Sequence, residues 1–185
     1  MIIVIWSSPN KDGLTATAKN KIIEGLSAVD PEIEEIHLNK FNLEHCRACG
    51  SGWGLCQTAG HCVIKDDFEK LYEKLVRADG IVWISAVYWH DLTEHMKTFL
   101  DRIRRCETAH NGFLKGKRNM IIACAGGTGL GAIQCLEHLE ATLSHMGMVT
   151  LDRLPIIQFN KSYMLSALLE AGEKFSLMFK TIQRK

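Results

Sequence analysis

Three short runs in this chain are apolar at every position: Ile2-Ile3-Val4-Ile5, Ile81-Val82-Trp83-Ile84 and Met120-Ile121-Ile122-Ala123-Cys124. A half-exposed strand alternates apolar and polar residues. These runs do not alternate, so each must be buried on both faces, as the strands of a parallel sheet are. Weaker strand patterns lie at 32–38, where Ile33, Ile36 and Leu38 are apolar, and at 148–154. The segments between carry a helical period instead. Ala18, Ile22 and Leu26 share one face, as do Leu71 and Leu75, and Met96, Phe99, Leu100 and Ile103 recur at i, i+3, i+4 and i+7. Ile133, Leu136, Leu143 and Met146 mark a further helix, and 162–180 a last one. Such an alternation of strands and helices requires a parallel sheet with helices on both faces. Right-handed crossovers then leave few topologies, and a five-stranded order 2-1-3-4-5 is the expected one.

Local signals refine this outline. Asp66, with Glu69 three residues on, reads as a capping box opening the helix at 66–77. Gly147 stands where a C-terminal cap belongs. Asp101 and Arg102, at a helix end, read as a structural ion pair. Between 39 and 61 no period survives, and the stretch holds Gly50, Gly52, Gly54 and Gly60. So long a loop in a compact domain usually has a job. The expectation is one α/β domain spanning 1–185, with 39–62 as a Cys- and Gly-rich insertion.

Composition excludes several classes. A net charge of +1 over 185 residues leaves no electrostatic footprint for nucleic acid or an anionic membrane. No apolar run approaches the roughly 18 residues needed to span a bilayer. The chain opens directly on a strand, without the basic start of a signal peptide, which predicts a cytoplasmic protein. Seven cysteines in that setting are expected as free thiols, metal ligands or redox groups.

In an open α/β sheet, ligands sit outside the carboxyl ends of the strands near the topological switch point. Three loops must emerge there. The first, Ser7-Ser8-Pro9-Asn10-Lys11-Asp12-Gly13-Leu14-Thr15, joins a buried strand to a helix start and suits an anion such as phosphate. The second, Ser85-Ala86-Val87-Tyr88-Trp89-His90-Asp91, offers an aromatic wall. The third, Gly126-Gly127-Thr128-Gly129-Leu130-Gly131, lets the backbone approach a flat ring closely. Taken singly, each loop has a plainer reading: a helix cap, rim packing, a turn. Together on one edge they point to a mononucleotide site. No Gly-x-Gly-x-x-Gly opens the first helix, which argues against a dinucleotide fingerprint.

These residues carry a resemblance. Ser7-Ser8-Pro9-Asn10…Leu14-Thr15 resembles the Gly-Ser-Pro-Arg…Ser/Asn-Thr loop of the NAD(P)H-dependent FMN reductases of flavodoxin-like fold. Val87-Tyr88-Trp89…Met96-Lys97-Thr98-Phe99-Leu100-Asp101-Arg102 is similar to that family's Pro-Val-Tyr-Trp…Lys-x-Phe-x-Asp-Arg segment. Cys46-x2-Cys49, with Gly60-His61-Cys62-Val63-Ile64-Lys65-Asp66-Asp67-Phe68, resembles the branch that includes the iron–sulfur flavoproteins. The resemblance implies a flavodoxin-like three-layer sandwich. It also implies FMN as cofactor, NAD(P)H as co-substrate, a small-molecule electron acceptor and a homodimer or homotetramer. By position, Ser8, Asn10, Leu14 and Thr15 would hold the FMN phosphate. Ala86, Val87, Tyr88 and Trp89, with Gly126, Gly127, Thr128 and Gly129, would frame the ring. Asn10 stands where the family has Arg, Ala86 where it has Pro, and Ser7 where it has Gly.

The spacing Cys46-x2-Cys49-x6-Cys56-x5-Cys62 is neither the Cys-x2-Cys-x2-Cys grouping of iron–sulfur sites nor the two close pairs of a zinc site. Packing thiols are therefore expected, in a loop that covers a neighbouring subunit or the flavin rim, with Trp53 as lid or dimer contact. A redox dithiol at Cys46 and Cys49 is the alternative. Cys106, Cys124 and Cys135 read as core or surface thiols, and His90 as a solvated residue beside the ring site. No histidine pair has metal-ligand spacing. The function expected is an FMN-dependent oxidoreductase passing hydride from NAD(P)H to a quinone, flavin or similar acceptor. The alternatives are a flavodoxin-type electron carrier and a metal or redox sensor built on the cysteines.

Overall fold

A computed structural model describes residues 1–109 and 112–180, so the last five positions of the expected domain lie outside the described residues. The elements run β1 (Ile2–Ser7), α1 (Leu14–Ser27), β2 (Ile33–His37), a 3-10 turn at Leu38–Lys40, α2 (Leu55–Thr58), α3 (Phe68–Arg77), β3 (Gly80–Ala86), α4 (Glu94–Glu107), β4 (Arg118–Ala125), α5 (Ala132–His145), β5 (Val149–Ile157) and α6 (Lys161–Lys180). The five strands are all parallel and ordered β2-β1-β3-β4-β5, as the sequence predicts.

Alternate residues of the apolar runs serve different cores. Ile3, Ile5, Ile81, Trp83 and Ile121 pack with α3, α4 and α5 on one face. Ile2, Val4, Val82, Ile84 and Ile122 pack with α1 and α6 on the other. Each such side chain stabilises the fold by about 1.5–3 kcal/mol on burial, which is why no position in these runs is polar. On the second face α1 and α6 touch backbone to backbone. A Cβ at Gly25 would lie 2.2 Å from the Leu169 carbonyl oxygen, and one at Gly172 would lie 2.6 Å from that of Ile22.

Several boundaries differ from expectation for identifiable reasons. β5 runs on to Ile157 through Pro155, which an edge strand tolerates because it needs donors on one side only. α4 begins at Glu94, where Thr93 caps it by accepting from the Met96 amide at 3.4 Å. The capping box at α3 does not form. Asp66 does accept from the Phe68 amide at 3.1 Å, but it also takes Arg102 and the Glu44 amide, and Glu69 turns away to accept from the Cys62 amide at 2.6 Å. Arg102 therefore pairs with Asp66, while Asp101 pairs with Lys97. Gly147 does end α5: with φ +74 it directs its own amide to Ser144 and that of Met148 back to Leu143.

Candidate functional site

β1 delivers Ser7 and Ser8, both buried, to the carboxyl edge of the sheet. The loop beyond them is shaped by its own side chains. Ser8 Oγ accepts from the Asn10 amide at 3.2 Å, and Asn10 Oδ1 accepts from the Asp12 amide at 3.2 Å. α1 then starts behind Gly13 with no side-chain cap and no acidic residue in its first turn. Among the described residues, the amides of Leu14, Thr15 and Ala16 meet no acceptor, so the positive end of the helix dipole is open. The plain reading of this loop as a capped helix start is thus set aside. Leu14 packs half-buried on the core, and Thr15 is buried with its hydroxyl on the Cys124 thiol. Of the four residues expected around a phosphate, Leu14 and Thr15 present backbone, Ser8 a hydroxyl and Asn10 a loop-shaping amide.

The loop after β3 contains a feature that no residue type announces. Tyr88 and Asp91 exchange both backbone hydrogen bonds, at 2.8 and 2.9 Å, around a two-residue turn. Its central residues, Trp89 and His90, have φ +47 and +70. Turns of this hand normally use Asn-Gly, because left-handed backbone costs other residues about 1–2 kcal/mol each. Trp89 is also 97% exposed, so burial of its ring does not offset that cost within the chain. Strain of this kind concentrates at functional sites. Ala86 and Val87 are half-buried at the base of the turn, where the Val87 amide extends the sheet by donating to Cys124 at 3.0 Å.

The loop after β4 braces that turn. Gly131, with φ +84, lies so close that a Cβ there would sit 2.5 Å from the Cα of His90. His138 of α5 reaches Asp91 at 3.1 Å. At Gly126 and Gly127, by contrast, a Cβ would meet nothing within 4 Å, leaving a bare backbone edge beside the aromatic turn. Thr128 is exposed and accepts from the Leu130 amide at 3.3 Å, while Gly129 packs on Ile157. Gln158 ties the next loop in by donating to the Gly126 carbonyl at 2.9 Å.

Beneath the three loops runs a polar network the sequence reading did not identify. Thr93 donates to Ser7 Oγ at 2.6 Å, Ser7 donates to Asn39 Oδ1 at 3.1 Å, and Asn39 Nδ2 faces His95 at 3.4 Å. Ser85 Oγ accepts from the Thr93 amide at 3.2 Å. The loops after β1, β2 and β3 are thus one hydrogen-bonded unit. The 86 residues separating Ser7 from Thr93 leave no local signal for it.

Residues 44–53, at the start of the cysteine segment, lie along α4 of the same chain. His45 meets Thr98 at 2.9 Å, Arg102 donates to the Glu44 carbonyl at 3.0 Å, and Arg105 donates to the Gly52 carbonyl. Trp53 lies beneath the guanidinium of Arg105, 4.7 Å from the ring centroid. Arg102 stands eight residues into α4, about 12 Å from the end of the helix that faces the three loops. Cys46, Cys49, Cys56, Cys62 and Cys106 line one hollow of about 360 Å³, counting its open mouth. All seven cysteines are free thiols. Burial pushes Cys106, Cys124 and Cys135 up to about 12, which keeps them protonated.

An iron–sulfur cluster does not fit these residues as they are placed. Among the described residues no three His, Cys, Asp or Glu side chains converge as a metal site. The position that would complete Cys-x2-Cys-x2-Cys is Gly52, whose carbonyl is held by Arg105.

Comparison with known proteins bears on the whole chain. The NADPH-dependent FMN reductase family matches residues 1–160. An iron-sulfur flavoprotein of Archaeoglobus fulgidus is 30% identical over 125 residues, 68% of this chain and 54% of that one. An iron-sulfur flavoprotein of Methanocaldococcus jannaschii is 30% identical over 122 residues, 66% of this chain and 60% of its own length. The chain thus spans between half and two thirds of the length of these curated relatives. Among solved structures, an NAD(P)H:quinone oxidoreductase from Methanothermobacter marburgensis superposes with a TM-score of 0.70 at 20% identity, covering 94% of this chain and 96% of that one. A flavodoxin from the domain Archaea gives 0.65 at 15%, covering 97% and 99%. At such identities these likenesses speak to the fold, which is flavodoxin-like. The match over residues 1–160 speaks to descent, and the chain belongs to the NADPH-dependent FMN reductase family.

Proposed function

We propose that the carboxyl edge of this sheet binds FMN and that the chain passes hydride from NADH or NADPH, through the flavin, to a quinone, a flavin or a similar small acceptor. The observation that carries this reading is the pairing of two features on one edge. The start of α1 has open amides, and the strained Trp89–His90 turn is braced by Gly131 beside the bare backbone of Gly126 and Gly127. The first suits a phosphate and the second a planar ring. The flavin supplies the hydride and electron chemistry; the protein binds, orients and tunes it.

On this reading the phosphate is held by the Ser8 hydroxyl and the amides that open α1. Asn10 spends its carbonyl on the Asp12 amide and supplies no guanidinium, so phosphate binding rests on backbone and dipole and is weaker than a bidentate arginine would make it. Ala86, Val87, Tyr88 and Trp89 bound the ring on one side. Gly126, Gly127, Thr128 and Gly129 bound it on the other. No side chain of the chain need move a proton for hydride to reach the ring.

The exposed apolar side chains support assembly as a homodimer or homotetramer through the same edge. Trp89, Leu130 and Phe159 are 97, 67 and 85% exposed, on loops that contact one another through Gly131 and Gln158. Residues 1–185 form one domain on this reading, with 39–62 an insertion fastened to α4. Among the described residues, no helix is long and apolar enough to cross a membrane.

The test is equilibrium titration of the purified chain with FMN and with riboflavin. FMN bound more tightly than riboflavin, with two resolved flavin absorption bands, supports the site. Failure to bind either flavin contradicts it.

A further inference from the structure

His37 ends β2 and is only 4% exposed. Its ring stacks face to face on Trp6 of β1, 3.6 Å between centroids and 6° between planes. Nε2 lies 2.9 Å from the carbonyl oxygen of Ser8. A carbonyl only accepts, so the proton of the neutral ring is on Nε2. Nδ1 is buried and meets no partner among the described residues. The imidazole therefore has one polar engagement, and it is with the first residue of the β1–α1 loop.

That engagement has a consequence for an anion. Pro9 follows Ser8, so the Ser8–Pro9 peptide carries an acceptor and no donor. The Asn10 and Asp12 amides are spent within the loop and the amides that open α1 face an anion, whereas this peptide can offer only its oxygen. Unless that oxygen faces into the protein, its dipole opposes bound negative charge at the start of α1.

We propose that His37 is a positioning residue of the phosphate loop. By donating from Nε2 to the Ser8 carbonyl, it keeps the loop's donorless peptide turned away from the anion. This rests on the FMN reading of the site. A second proton would go onto buried Nδ1, where no acceptor waits. Lys11, Lys40 and, across the Trp6 ring, Lys19 face it with like charge. Glu35 is the facing anion, and it already accepts from Trp6 Nε1 and Lys19. Burial, against the opposing pull of the Ser8 hydrogen bond, holds the imidazole below its ordinary value.

The experiment measures FMN and riboflavin dissociation constants by flavin fluorescence at pH 7.5 and 5.5 for the wild type, His37→Phe and His37→Gln. The phenyl ring keeps the stack without a donor, and the glutamine amide keeps a donor without a titrating ring. At pH 7.5, His37→Phe is expected to bind FMN about five- to tenfold more weakly, with riboflavin unchanged, and His37→Gln to recover most of the loss. Protonation of Nδ1 leaves the Nε2–H donor in place, so between pH 7.5 and 5.5 the wild type and His37→Gln are expected to lose FMN affinity in parallel, through the phosphate's own proton near pH 6. Equal affinity of His37→Phe and wild type, or equal losses for FMN and riboflavin, overturns the inference while leaving the FMN site standing. If His37→Phe does not fold, His37→Leu, which also lacks a donor, is read in its place against the same two outcomes. A wild type that binds neither flavin overturns the site reading, and the inference falls with it.

Discussion

Gly131 and His90 are fitted so closely that the glycine's missing Cβ would lie 2.5 Å from the histidine's Cα. This contact fixes the aromatic turn after β3 to the start of α5, and so decides where Tyr88 and Trp89 stand relative to the glycine edge. Gly131→Ala must both enter the left-handed region and displace the turn. It is expected to destabilise the chain by about 2 kcal/mol or more and to weaken FMN binding in parallel. Urea unfolding with flavin titration checks this. A variant as stable as the wild type, with unchanged affinity, would show that the contact does not brace the site.

Trp89 offers the opposite trade. Its φ of +47 costs energy that Gly would not, and its side chain is 97% exposed. Trp89→Gly is expected to leave the monomer fold as stable as the wild type or up to about 1 kcal/mol more stable, while weakening flavin binding or self-association. Thermal unfolding at low protein concentration, with light scattering, separates the two effects. Loss of stability without loss of either function would mean the ring packs in the monomer after all.

Arg102 and Asp66 form a pair whose side chains are 1% and 0% exposed. Burial alone would raise the Asp66 carboxyl. The Arg102 guanidinium and the Glu44 and Phe68 amides outweigh it and hold the group below its ordinary 3.8. A depressed carboxyl stabilises the fold fully above the ordinary value, and that stability is lost as pH falls through the folded one. Arg102→Ala strands the carboxylate and is expected to cost about 3–5 kcal/mol at pH 7. The variant recovers part of this by taking up a proton, so its deficit narrows by pH 4. Urea midpoints at the two pH values test this, and a deficit independent of pH contradicts it.

The thiols divide by burial. Cys106, Cys124 and Cys135 are buried and pushed up to about 12, whereas Cys46, Cys49, Cys56 and Cys62 are half-buried in one loop. An aromatic disulfide reagent at pH 8 is expected to titrate the loop thiols in the native chain and the other three only after unfolding. Early reaction at Cys124 would show that the sheet edge opens.

Both the layers and the strand order were legible because the relevant signals are local. Ile2 to Ile5 are apolar without alternation since neighbouring residues feed opposite cores, and that pattern allows only a covered parallel sheet. The three loops were legible for the same reason, as strand ends followed by Gly, Ser or aromatic residues. What escaped depends on partners distant in sequence. Asp66 has the spacing of a capping box with Glu69, yet Arg102 of α4 claims it. Ser7 looks like a loop residue until Thr93 and Asn39 are brought beside it. The turn at Trp89 and His90 has no Gly or Asn to betray its hand, and the strain there shows only in the backbone.

The central claim is hydride transfer through bound FMN. Its most direct test is anaerobic mixing of the FMN-loaded chain with NADH and, separately, NADPH, following absorbance in the visible flavin bands. The account predicts rapid bleaching by at least one nicotinamide and recovery of the bands on adding a quinone. Tightly bound FMN that neither nicotinamide bleaches would contradict the reductase and leave an electron carrier in its place.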